Sequence, residues 1–171
     1  MRNFCLLLLF LSLSSCARYF YVVRHAEKAV ANSSDNMMSG DPVLTEKGQQ
    51  RAEALKTELA NKKIGYIFST NTIRAKSTAE PTRAWFNLTV ETYPSFPDSV
   101  FFDRLQLLKK NTLIIGHSNT VDDIVNRLCG TVKLPADLAD TEYDNLYIIK
   151  KSGRNFRFEQ KKYGVPSTPN R

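Results

Sequence analysis

Residues 19–25 read Tyr19-Phe20-Tyr21-Val22-Val23-Arg24-His25, and residues 112–117 read Thr112-Leu113-Ile114-Ile115-Gly116-His117. Each is an unbroken run, rich in β-branched or aromatic side chains, that leads to a histidine. A strand with one wet face alternates polar and apolar residues, whereas a strand covered on both faces reads as a continuous run like these. Both therefore predict a sheet with helices packed on each side.

The same grammar extends outward. Thr45 stands as N-cap before Ala52, Leu55 and Leu59 at helical spacing. Residues 64–68 read as a second strand, and 71–86 as a helix that Pro81 kinks or shortens. Residues 88–93 follow as a strand and 100–108 and 121–128 as helices, while 146–149 and 156–158 flank a turn at Ser152-Gly153 and predict a terminal hairpin. The polar stretch 29–42 is expected to be a surface loop, and the Pro-rich tail from 163 to 171 a loose end. Strands alternating with helices predict an α/β fold, a three-layer α/β/α sandwich with a mainly parallel central sheet.

Composition narrows the class. With 42% apolar and 24% charged residues in 171, the chain is neither disordered nor a multi-span membrane protein, and it has room for one domain, assigned to 16–171. The formal charge of +7 suits anionic partners. Nucleic acid is not expected among them, because zinc-finger spacing, an aromatic and basic RNA motif and a long basic helix are all missing from the sequence.

Residues 1–15 form a separate unit, with Arg2 followed by the apolar run Leu6-Leu7-Leu8-Leu9-Phe10-Leu11 and then small residues. That is the pattern of a secretion signal, too short for a permanent span. Leu13-Ser14-Ser15-Cys16 resembles the bacterial lipobox, which implies a lipidated Cys16, a membrane-anchored lipoprotein and a place in the cell envelope; the alternative is ordinary cleavage after Ala17. Setting aside Cys5 in the leader and Cys16, only Cys129 remains, so no disulfide is expected within the domain.

In open α/β sheets, ligands bind beyond the carboxyl ends of the strands. His25 and His117, the only histidines, both sit just past a predicted buried strand. Arg24 precedes the first, and Arg74 follows the second strand in Ser69-Thr70-Asn71-Thr72-Ile73-Arg74-Ala75. Two guanidiniums and two imidazoles on one rim make a cationic pocket whose natural guest is a phosphoryl group, held by paired charge-assisted hydrogen bonds. Such an inventory meets the needs of phosphoryl transfer without a metal, and the sequence offers no zinc-ligand spacing. The neighbouring arginines also favour a neutral, nucleophilic His25.

These segments resemble the histidine phosphatase superfamily, in its phosphoglycerate mutase-like branch. Arg24-His25-Ala26-Glu27 is similar to that family's Arg-His-Gly motif, with Ala26 in place of the glycine. Leu44-Thr45 with Gly48, Arg51 and Ala52, Ser69-Thr70 with Arg74, Ala75, Thr78 and Ala79, and Gly116-His117-Ser118 follow in the family's order. The resemblance implies that His25 attacks phosphorus, that Arg24, Arg74 and His117 bind the transferred group, and that the helix from Thr45 has a packing role. It also implies a general acid, for which Asp98 stands at about the expected place. Glu91 and Glu27 are its rivals, and Asp98 reads equally as the acid that starts the next helix. Lys28 is either a further anion contact or a solvated lysine. The function expected is phosphomonoester hydrolysis on a small phosphorylated substrate. A non-catalytic phosphate-binding lipoprotein, a protein phosphohistidine phosphatase and a mutase are the alternatives.

Overall fold

The computed structural model describes residues 17–29, 40–153 and 155–167. The leader with Cys16, most of the 29–42 stretch and residues 168–171 lie outside the described residues.

The elements run β1 (Arg18–Arg24), α1 (Glu46–Leu59), β2 (Ile64–Thr70), α2 (Ile73–Phe86), β3 (Val90–Tyr93), α3 (Ser99–Leu107), β4 (Asn111–Gly116), α4 (Val121–Cys129), β5 (Asn145–Ser152) and β6 (Asn155–Lys162). The six strands form one sheet in the order β3-β2-β4-β1-β5-β6. The first four are mutually parallel, while β5 runs antiparallel to both β1 and β6.

Successive strand residues face opposite sides of a sheet, and the core divides accordingly. Phe20 and Val22 pack with Phe101, Leu105, Ile124 and Leu128, so α3 and α4 cover one face. Tyr21 and Val23 pack with Leu55, Leu59, Ala75 and Ala79, so α1 and α2 cover the other. These two layers and the sheet are the predicted sandwich. Ile114 is fully buried in it, and truncating such a residue to alanine costs about 2–5 kcal/mol.

Local chemistry sets the helix ends. Thr45 caps α1 by accepting from Gly48 N at 3.1 Å, and Thr72 caps α2 by accepting from Ala75 N. Helix α2 runs through Pro81 and ends at Phe86, where Asn87 takes the left-handed C-cap conformation. The hairpin of β5 and β6 is longer than the sequence predicts, because its outer residues are polar and make poor strand signals.

The tail differs from expectation. Arg51 donates to the carbonyls of Tyr163 and Val165, and Ser167 N donates to Asp144, so the described part of the tail through 167 is tied to the domain. Its anchors come from distant residues, which tail composition does not reveal.

Candidate active site

Strands β1 and β4 are neighbours, but the helices that follow them lie on opposite faces of the sheet. Their connections therefore part at the carboxyl ends, and a crevice opens there. Both histidines stand at it: His25 N donates to Gly116 O at 2.9 Å, which joins the two strand ends. The imidazole rings meet edge to face, with centroids 5.3 Å apart.

His25 is only 3% exposed. Its Nδ1 lies 2.8 Å from the carbonyl of Ala26. A carbonyl only accepts, so Nδ1 carries the proton and the lone pair is on Nε2. Burial drives the His25 pKa down to about 3; the Ala26 hydrogen bond opposes this, and the charges of His117, Arg24 and Arg74 add to it. His117 Nε2 lies 2.8 Å from Thr70 Oγ1 on β2. Burial, then Arg74 and Arg24, bring its pKa to about 4. Both rings are thus neutral at ordinary pH.

The arginines are held differently. Arg24 is buried under the connection from α4 to β5, donating from Nη1 to Ala139 O at 2.8 Å and Asp140 O at 3.2 Å, and its guanidinium lies 4.1 Å from the ring centroid of Tyr143. Arg74 donates from Nη1 to Asp41 Oδ1 at 3.0 Å, and the other oxygen of Asp41 accepts from Ile73 N. The Nε of each arginine is buried with no protein acceptor.

Arg24, His25, Arg74 and His117 line one cavity of about 280 Å³ together with Lys28, Thr72, Ser95, Phe96, Ser118, Asn119 and Asp140. A larger cavity of about 840 Å³ lies between α1 and α2 and has neither histidine nor arginine among its lining residues. Chemistry, not volume, points to the smaller one. Among the described residues, no group of three or more His, Cys, Asp or Glu side chains is placed to hold a metal ion.

The acid expected at Asp98 is not brought to this cavity. Its carboxylate accepts from Phe101 N at 2.8 Å as the N-cap of α3, the other role its sequence position allowed. Glu91 pairs with Arg104 on the α3 side of the sheet. Glu27 accepts two hydrogen bonds from Arg51, at 2.6 and 2.8 Å. Burial pushes the Glu27 carboxyl up, but Arg51 outweighs that and holds it below the ordinary range.

Arg51 thus braces the turn after His25, as does Thr45, whose N–H donates to Glu27 O at 2.9 Å. Gly48 completes the contact: a Cβ there would lie 2.2 Å from Glu27 O. The segment 44–52 is more than a packing helix, since it grips the backbone two residues beyond His25.

The model of the "Histidine phosphatase superfamily (branch 1)" matches residues 20–101. Over this span, a little under half of the chain, the sequence is similar to that superfamily. The matched span holds Arg24, His25 and Arg74 and stops before His117, which the fold itself brings to them. Among solved structures, the protein histidine phosphatase SixA complexed with tungstate superposes with TM-score 0.66 at 21% identity, over 84% of this chain and 96% of that one. The Agrobacterium tumefaciens protein assigned as the phosphohistidine phosphatase SixA gives 0.63 at 19%, over 87% and 98%. A phosphoglycerate mutase from Bacillus anthracis gives 0.61 at 14%, over 86% and 93%. At these identities the likeness is one of fold. No curated protein matches the chain significantly.

Sequence reasoning missed several residues at the site. Thr70 lay in the Ser69-Thr70 segment without a role of its own, and Asp41 lay in the stretch 29–42 read as a surface loop. Asp140 and Tyr143 carried no signal, because only the path of the connection from α4 to β5 brings them to Arg24.

Proposed function

We propose that this chain is a phosphohydrolase that works through a phosphohistidine on His25. The observation that carries the reading is the hydrogen bond from Nδ1 to Ala26 O, which fixes the lone pair on Nε2 of a neutral imidazole lining a cationic cavity. Nε2 attacks phosphorus, an N–P bond forms, and the bond from phosphorus to the leaving oxygen breaks. Water then attacks phosphorus, the N–P bond breaks and inorganic phosphate leaves. Arg24, Arg74 and His117 hold the transferred group, and the unpartnered Nε of each arginine is a donor that a phosphoryl oxygen would satisfy. The two guanidiniums supply the positive charge a metal would bring, so activity is expected to survive chelators.

Acid quench during turnover of an aryl phosphate should trap a phospho-enzyme, and His25→Ala should abolish it. The variant should lose more than about 100-fold in kcat while staying folded. A His25→Ala enzyme near the normal rate would overturn the mechanism. Binding of phosphate compounds without any turnover would make the chain a binding protein instead.

A second reading concerns the substrate. Asp98, Glu91 and Glu27 are all engaged elsewhere, which favours leaving groups that need little help from a buried acid. A phosphohistidine is one, since the departing imidazole can take its proton from water at the far ring nitrogen. Structural neighbours bear the name of such phosphatases, although at their identity they support the fold alone. Comparing release from phosphohistidine, aryl phosphate and alkyl phosphate separates this reading from a general phosphomonoesterase.

The chain is further proposed to be held at a membrane of the cell envelope by a lipidated Cys16, on the strength of Leu13-Ser14-Ser15-Cys16. Cys16→Ser should end incorporation of labelled fatty acid; continued labelling would rule Cys16 out.

A further inference from the structure

The end of the sheet opposite the histidines is built from strand termini, and their residues share one charge. Strand β1 begins at Arg18, β2 follows Lys62-Lys63, β4 follows Lys109-Lys110, and the antiparallel β5 reaches the same end at Lys150-Lys151. Backbone register keeps them together. Arg18 is opposite Lys151, and Ile64 opposite Asn111, whose side chain also bonds Lys62 O and Tyr19 N. Without these seven cations, 17 of the 24 Lys and Arg remain against 17 Asp and Glu, and Lys133, just past the end of α4, adds an eighth cation at this end.

Among the described residues the loops at this end carry no acid, and Glu58 in the last turn of α1 pairs with Lys161. Residues 60–64, 84–89, 107–112, 130–134 and 149–153, which form this end, contain neither Asp nor Glu. None of the ion pairs among the described residues uses one of the seven. Their recorded partners are neutral: Arg18 donates to Gln106 O, Lys151 donates to Leu128 O, and Lys150 lies over the Tyr19 ring. Trp85, Leu107 and Val132, at or just past the ends of α2, α3 and α4, put exposed apolar side chains at this end as well.

We propose that this end of the sheet is a docking face for an anionic lipid surface. A lipid surface fits better than a polynucleotide because lysines are interleaved with exposed Trp, Leu and Val, the side chains that enter a headgroup layer. The sequence preceding Ala17, with its apolar run 6–11 and Cys16, also joins the domain at Arg18, within this face. The face stands on its own charge and does not require Cys16 to be lipidated. Docked this way, the His25 cavity at the other end of the sheet points away from the bilayer.

The test is cosedimentation of the full chain with phosphatidylcholine vesicles, with and without phosphatidylglycerol. Its four-fold variant Lys62→Gln, Lys63→Gln, Lys109→Gln, Lys110→Gln is run beside it. Both share the same leader, so their difference reports the face alone. The chain should favour the anionic vesicles by at least about tenfold, an advantage lost in the variant and in high salt. Phosphate release by the variant checks its fold, and a second set with arginine at the four positions should restore binding. Equal partition onto both vesicle types, an unchanged variant, or tighter binding of single-stranded polynucleotide than of anionic vesicles would each overturn the proposal.

Discussion

Thr70 Oγ1 and His117 Nε2 lie 2.8 Å apart, so an imidazole carried by β4 is oriented from β2. Thr70→Val keeps the shape and removes the bond. It is expected to lower kcat/KM by up to about tenfold, the size of one positioning hydrogen bond, with the far-ultraviolet spectrum unchanged. Full activity in the valine variant would show that His117 needs no such support.

The two neutral histidines set a pH dependence. An unfolded imidazole takes up its proton near 6.5, whereas folded His25 does so only near 3 and His117 near 4. Between those values the unfolded chain holds more protons, so stability is fully present above pH 6.5 and declines as pH falls towards 4. Urea midpoints measured from pH 7 to 4.5 should fall, and fall less in His25→Leu. The kcat/KM of the wild type should show no loss of nucleophile with a pKa near 6.5.

Glu27 and Arg51 form a pair whose side chains are mostly shielded from water. Arg51→Met leaves a carboxylate half-buried without its partner and should cost about 2–4 kcal/mol in denaturant unfolding. Because the folded Glu27 pKa is depressed, its contribution is present above the ordinary carboxylate pKa and is lost as pH falls through the folded value. Glu27→Gln should lower stability in the same direction without singling out alkyl over aryl phosphates. A selective loss on alkyl phosphates would return Glu27 to the role of general acid.

Asp98 caps α3. Asp98→Ala should therefore lower stability by about 1 kcal/mol, while Asp98→Asn, a comparable cap, should be close to neutral. Neither should change the ratio of alkyl to aryl phosphate turnover. A shift of that ratio in Asp98→Asn would place the residue in the chemistry after all.

What could be read from the sequence was whatever is local. The runs ending at His25 and His117 announce buried strands, and strand ends announce the rim, so the two histidines and two arginines were legible together with the layer order. Thr45 declares its helix in the same way. What could not be read depends on where distant chain segments travel. Glu27 finds Arg51 because α1 packs back across the turn, Asp140 reaches Arg24 along the connection from α4 to β5, and residues 163–167 are held by Arg51 and Asp144. A carboxylate placed by counting residues, as Asp98 was, is at the mercy of the nearest helix N-terminus.

Strands β1 and β4 pair directly, with Val23 opposite Ile115, although β2 and β3 and three helices intervene in the chain. Contacts between residues so far apart in sequence form late, since a long loop must close before they are rewarded. During synthesis His25 is made early, yet Gly116 O, His117 and the Asp140 segment that complete its surroundings are made about 90 residues or more later. An unfinished chain therefore carries a histidine without a workshop around it. On refolding, activity should return behind the helical signal, marking the moment when the sheet closes at its centre.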